Sequence, residues 1–109
     1  MAKKSQRKGA AGERELAALL CENGYPVQRG GSLSFGEVPD LVGLPGVHIE
    51  VKRTERLNLS QAMAQSIRDA EKFQDGAPAV FHRSNRHPWV VSMLLSDWLD
   101  LFKAAEKSK

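Results

Sequence analysis

The sequence of 109 residues has a single cysteine, Cys21. One cysteine can close no internal disulfide and supplies no thiolate set for zinc, and it suits a reducing, cytoplasmic setting. Long apolar runs are also missing. The longest lies within Leu16 to Cys21, well short of a bilayer span. No secretory hydrophobic segment follows the basic residues near the start. An intracellular protein without a membrane partner is therefore expected. Serine, histidine and acids are present, but no elbow motif supports a nucleophilic triad. The three histidines show no metal-binding spacing on one helix. No internal repeat is visible.

What is present is enough chain for one compact domain, 1–109. Residues 1–8 read as a basic flexible arm and 106–109 as a frayed tail. Sixteen Lys and Arg stand against thirteen Asp and Glu, a net charge of +3. The distribution is more informative than the total. Lys3, Lys4, Arg7 and Lys8 crowd the start, and His82, Arg83, Arg86 and His87 form a second cluster. Two basic clusters fit a polyanion such as DNA. Charge alone fits a solubilising tail and a solvated loop equally well.

The chemistry concentrates between Val38 and Lys52. Val47, Ile49 and Val51 alternate with His48, Glu50 and Lys52, the period of a strand with one face in the core. Glu50 and Lys52 then share a face. Asp40-Leu41-Val42-Gly43 is a short strand candidate, and Leu44-Pro45-Gly46 reads as a turn. A hairpin folded there returns Asp40 toward Glu50. Two carboxylates sharing a site repel, and a cation between them relieves the repulsion. Hard oxygen ligands of this kind suit Mg²⁺, with Mn²⁺ able to substitute.

Pro39-Asp40 followed by Glu50-Val51-Lys52 resembles the PD-(D/E)XK nuclease signature. Nearer the start of the chain, Arg7-Lys8-Gly9 and Glu13-Arg14-Glu15 resemble the opening helix of the Holliday junction resolvase branch of that superfamily. The spacing predicts a helix from Gly9 to about Asn23, with an apolar stripe of Leu16, Leu19 and Leu20 and Gly24 as its stop. Glu13 falls inside the apolar arc and Arg14 outside it. A core-facing acid needs a partner or a metal, although a first-turn glutamate also suits the helix dipole. The resemblance implies that Glu13 joins Asp40 and Glu50 at the metal, together with the backbone carbonyl of Val51. It also implies a DNA-approaching arginine and serine loop, matched here by Arg29 and by Ser32 or, less well, Ser34.

Tyr25 to Arg29 is a predicted strand and Gly30 to Gly36 a loop. A second helix is predicted from Leu59 to Gln74, capped by Asn58, with Gln61 placed to complete a capping box. Its apolar stripe reads Leu59, Met63, Ile67 and Ala70, supported by Ala62 and Phe73. Gln65 and Arg68 lie off that stripe. The resemblance places Gln65 near the scissile phosphate, and a solvated helix side fits it as well. Gly76-Ala77-Pro78 reads as a break. Ala79 to His82 and Trp89 to Met93 follow as strands, with Trp89 packing in the core, and Arg83 to Pro88 turns between them. Ser96 is expected to cap a last helix of Asp97 to about Ala105, with Leu99 and Phe102 turned inward.

The order α-β-β-β-α-β-β-α gives an α/β fold with a restriction-endonuclease-like core, a mixed sheet flanked by helices. The expected activity is Mg²⁺-dependent hydrolysis of DNA phosphodiester bonds, directed to four-way junctions. Asp40, Glu50 and Glu13 would serve the metal, Gln65 would assist, and Lys52 would act as a fixed positive charge on the phosphate. Lys4, Arg7, Lys8, Arg29, Ser32, Arg83 and Arg86 are the expected DNA contacts. A less selective phage-type nicking nuclease stays open, as does a DNA-binding module of this fold without catalysis. Two opposed cuts on a junction call for a two-fold dimer, as the resembled branch forms. Trp98, Leu101 and Phe102, with Leu33 and Phe35, are its candidate surface.

Overall fold

The computed structural model describes residues 2–30 and 38–108, with side chains described from residue 9. The elements are α1 (Ala2–Glu22), β1 (Gln28–Arg29), β2 (Leu41–Val42), β3 (Val47–Arg53), α2 (Leu59–Phe73), β4 (Ala77–Arg83), β5 (Val90–Met93) and α3 (Leu95–Lys107). Their order is the expected one. The strands form one sheet, β1-β2-β3-β4-β5. Only β3 and β4 run parallel, in register from Val47↔Ala77 to Arg53↔Arg83. The other neighbours are antiparallel. A parallel pair needs a crossover, and α2 supplies it.

The pleat of β3 sorts its side chains into two layers. Ile49 joins Leu16, Val27, Leu41, Ala79 and Phe81 in the core beneath α1. Trp89 packs against that cluster, as its place beside an apolar strand suggests. On the opposite face His48, Glu50 and Val80 are buried under α2, where Phe73 stacks on His48 at 6.3 Å. The sheet is thus sandwiched between helices. Gly12 permits the close fit of α1: a Cβ there would lie 2.5 Å from that of Arg53. Between β2 and β3, Gly43 has φ +114° and its position abuts the carbonyl of Pro26, so only glycine fits. Val47 N–H then donates to the Leu44 carbonyl at 3.2 Å, closing the expected turn.

Several local expectations change. The pattern predicts that α1 starts at Gly9, but it starts at Ala2, because residues 2–8 are good helix formers without proline or a β-branched side chain. Within α1, Leu16 is buried while Leu19 is exposed. Strand β1 is reduced to Gln28–Arg29. Ala77 and Pro78 belong to β4 rather than to a break. Ala77 N–H donates toward β3, to the Gly46 carbonyl. Alternation turns the Pro78 nitrogen the other way, where the β5 ladder has already ended at Ala79↔Met93, so no bond is lost.

Asn58 does cap α2, accepting from Gln61 N–H at 3.1 Å. The buried face of α2 is the small-residue row Ala62, Ser66 and Ala70, while Leu59 and Ile67 are exposed. Small side chains bring the helix close to the sheet, and Ser66 Oγ donates to the Ala79 carbonyl at 3.3 Å. Leu94, not Ser96, is the N-cap of α3, without a side-chain cap bond. Leu99 and Phe102 do not turn inward: α3 buries no residue, and Leu95 is 69% exposed. Among the described residues no helix is long and apolar enough to cross a membrane.

Candidate active site

The hairpin brings the two motif acids together through the backbone. Asp40 Oδ2 accepts from Val51 N–H at 3.0 Å, which sets its carboxylate beside the Glu50–Val51 peptide. Glu50 stands on β3, only 4% exposed. Two residues on, Lys52 points from the same face, and its Nζ donates to Gln65 Oε1 at 2.9 Å. Gln65 thus leaves the solvated helix side for the site. Glu13 arrives from α1, its Oε1 accepting from Arg29 Nε at 2.9 Å.

The electrostatics link these acids. Burial pushes the Glu13 carboxyl above the usual range, the Arg29 bond offsets part of that, and the charge of Asp40 adds to the rise. Burial likewise raises Glu50. The His48 bond and Lys52 work against the rise, while Asp40 and Asp69 reinforce it. Glu13 and Glu50 both feel Asp40, so the cluster is short of positive charge. Carboxylate oxygens under mutual repulsion fit a hard divalent cation.

The sequence pattern placed His48 on Glu50's face but gave it no role. It is 1% exposed. Its Nδ1 faces both oxygens of Asp75 at 3.0 Å, and its Nε2 faces Glu50 Oε1 at 3.3 Å. Carboxylates accept, so the ring that satisfies both is doubly protonated. Burial alone would lower its pKa, but the bonds to Glu50 and Asp75 outweigh burial and raise it. Single ligand atoms of His48, Glu50 and Asp69 also lie within 4.8 Å of one another. Both ring nitrogens are turned to carboxylate oxygens, and the ring supports Glu50 from behind.

The predicted DNA contacts are dispersed. The side chains of Lys4, Arg7 and Lys8, and the whole of Ser32, Leu33, Ser34 and Phe35, lie outside the described residues. Arg29 is held by Glu13. Arg83 pairs with Glu15 and donates to the His87 carbonyl, while Glu15 also accepts from Trp89 Nε1 at 3.0 Å. His82 is not part of a cationic cluster: it bonds Ser92 Oγ at 2.9 Å, and burial lowers its pKa. Arg86 is exposed in the turn with φ 65°.

A mixed sheet between helices, with an aspartate, a glutamate and a lysine on its central hairpin, defines the class: a PD-(D/E)XK-type nuclease. The archaeal Holliday junction resolvase (Hjc) family profile matches residues 4–104. The chain belongs to that family. A solved structure similar to it is that of Archaeoglobus fulgidus Hjc, a Holliday junction resolvase from an archaeal hyperthermophile. The two share 26% identity with a TM-score of 0.59, over 79% of this chain and 72% of that one. No curated protein matches significantly.

Proposed function

We propose that this chain is a Mg²⁺-dependent endonuclease that resolves four-way DNA junctions as a homodimer inside the cell. One observation carries the catalytic reading: the 3.0 Å bond from Val51 N–H to Asp40, which sets one carboxylate against the peptide that bears the other. Asp40, Glu50 and the Val51 carbonyl would hold the cation, with Glu13 beside them. When bound, the divalent ion lowers the pKa of water and offsets charge building on the phosphate. Asp40 spends Oδ2 on the backbone and presents Oδ1. Glu50 is oriented through Oε1 by His48 and presents Oε2. Lys52 uses one of its three protons on Gln65 and keeps two for the phosphate. Gln65 fixes where that charge sits.

The dimer reading rests on the apolar side left open by α3. Leu59, Met63, Val91, Met93, Leu95 and Trp98 line one groove. Trp98 stacks on Phe102 at 5.3 Å, and Leu101 and Phe102 are exposed. So large an apolar surface on a short chain suits a second copy.

The catalytic test uses a four-way junction with Mg²⁺ or with EDTA, for the parent and for Asp40→Asn. Cleavage by the parent with Mg²⁺ alone supports the reading, and equal cleavage by the folded variant contradicts it. Sedimentation of the parent and of Leu95→Asp reports on assembly. A parent that stays monomeric at micromolar concentration with junction present removes the dimer.

A further inference from the structure

Beside the Lys52–Gln65 contact lies an open groove of about 320 Å³ between the β3–α2 loop and α2. Its lining includes Lys52, Arg56, Asn58, Gln61, Gln65 and Arg68, and no acid contributes. Gln61, Gln65 and Arg68 stand at i, i+4 and i+7 on α2, which makes them one continuous stripe. The stripe extends about 10 Å along the helix, with the Lys52 contact between its ends. The groove is therefore continuous with the candidate active site.

Its arginines, Arg56 and Arg68, lack ion pairs among the described residues, as do the exposed Arg14 and Arg86, but of these four only Arg56 and Arg68 line a groove that reaches the Lys52–Gln65 contact. Arg29, Arg53 and Arg83 are neutralised by Glu13, Glu15 and Glu55. Arg56 and Arg68 have no carboxylate within ion-pair distance among the described residues, and both are exposed. Two arginines without a carboxylate partner, beside Lys52 and the scissile position, suit a polyanionic strand. Arginine forks also match phosphate geometry.

We infer that the cleaved DNA strand runs along this groove, with phosphates neighbouring the scissile one held by Arg56 and Arg68. The inference rests on the nuclease reading above and adds the path of the strand. The contacts are to phosphate, so they position the strand without reading bases.

The test measures binding of a four-way junction to the full chain in EDTA, where no cleavage occurs, as a function of salt. Arg56→Ala/Arg68→Ala should reduce the slope of log K against log salt by about 1.8, at roughly 0.9 per phosphate. Arg56→Lys/Arg68→Lys should restore most of it. Junctions with a neutral methylphosphonate at single positions flanking the cut are then scanned. At the right positions the parent weakens, and the double alanine variant shows no further loss. A parent that binds with its salt slope unchanged in the double variant overturns the groove assignment alone. A parent that binds no junction at any salt overturns the nuclease reading and the groove with it. Both arginines are exposed, and circular dichroism confirms that the variants fold.

Discussion

His48→Leu removes the donor between Asp75 and Glu50 while keeping a side chain of similar bulk against Phe73. The ring is 1% exposed and bonds Asp75 at 3.0 Å and Glu50 at 3.3 Å, so the change strands a buried carboxylate. Breaking a buried pair costs about 3–5 kcal/mol. The Asp75 side chain is partly exposed, and solvent screening on that side favours the lower figure. About 3 kcal/mol at a denaturant slope of roughly 1.5 kcal/mol/M moves the urea midpoint down by about 2 M. The sign with pH follows from the folded pKa of His48, which its bonds to Glu50 and Asp75 raise against the effect of burial. A raised group stabilises fully below its unfolded pKa and loses that contribution as pH rises through its folded pKa. The gap between parent and variant should therefore be widest near pH 6, below the ordinary histidine pKa of about 6.5, and narrow as pH rises through the raised folded pKa of His48. Urea titrations of metal-free protein across that range provide the assay. A gap that is absent near pH 6, or that widens as pH rises, refutes the reasoning.

Other substitutions separate the remaining roles. Asp40→Asn keeps an acceptor for Val51 N–H and removes a charge, so it should fold, bind junction as well or better, and lose roughly 10²–10³ in cleavage rate; gel-shift and single-turnover measurements read the two effects. Gln65→Ala unseats Lys52 and should cost about 10–100-fold in rate with little change in junction affinity, and a tenfold loss of affinity would reassign it to binding. Arg83→Ala should lower thermal stability, because its partner is Glu15, whereas Arg86→Ala should leave stability unchanged and lower the salt slope of binding by about 0.9. Reversal of those two results would exchange their roles.

The motif acids and Lys52 were legible because the information is local. Strand alternation fixes the face of Glu50 and Lys52, and the Gly43 to Gly46 turn returns Asp40 to Val51. The Asn58 cap was legible for the same reason. The apolar stripes were legible only in part: Leu16, Ala62 and Ala70 are buried as expected. Leu59, Met63 and Ile67 carry the strong hydrophobic signal of α2, yet Ala62, Ser66 and Ala70 face the sheet, because close helix packing selects small side chains. Leu99 and Phe102 gave the same difficulty: periodicity identifies an apolar face without saying whether the same chain covers it. His48 needed tertiary contact, since Asp75 lies 27 residues away. The pleat held a usable signal, for it put His48 on the face of Glu50. Arg83 looked like a free cation in the sequence, and only the fold brings Glu15 to it.

The central claim, a metal-dependent nuclease selective for branched DNA, is met most directly by one comparison. A four-way junction and a linear duplex of matched sequence are each incubated with the protein and Mg²⁺, with both strands of each duplex arm end-labelled. The account predicts paired nicks placed symmetrically across the junction, at protein concentrations that leave the duplex intact, and none of either in EDTA. Equal cleavage of junction and duplex, or cleavage that persists in EDTA, would contradict it.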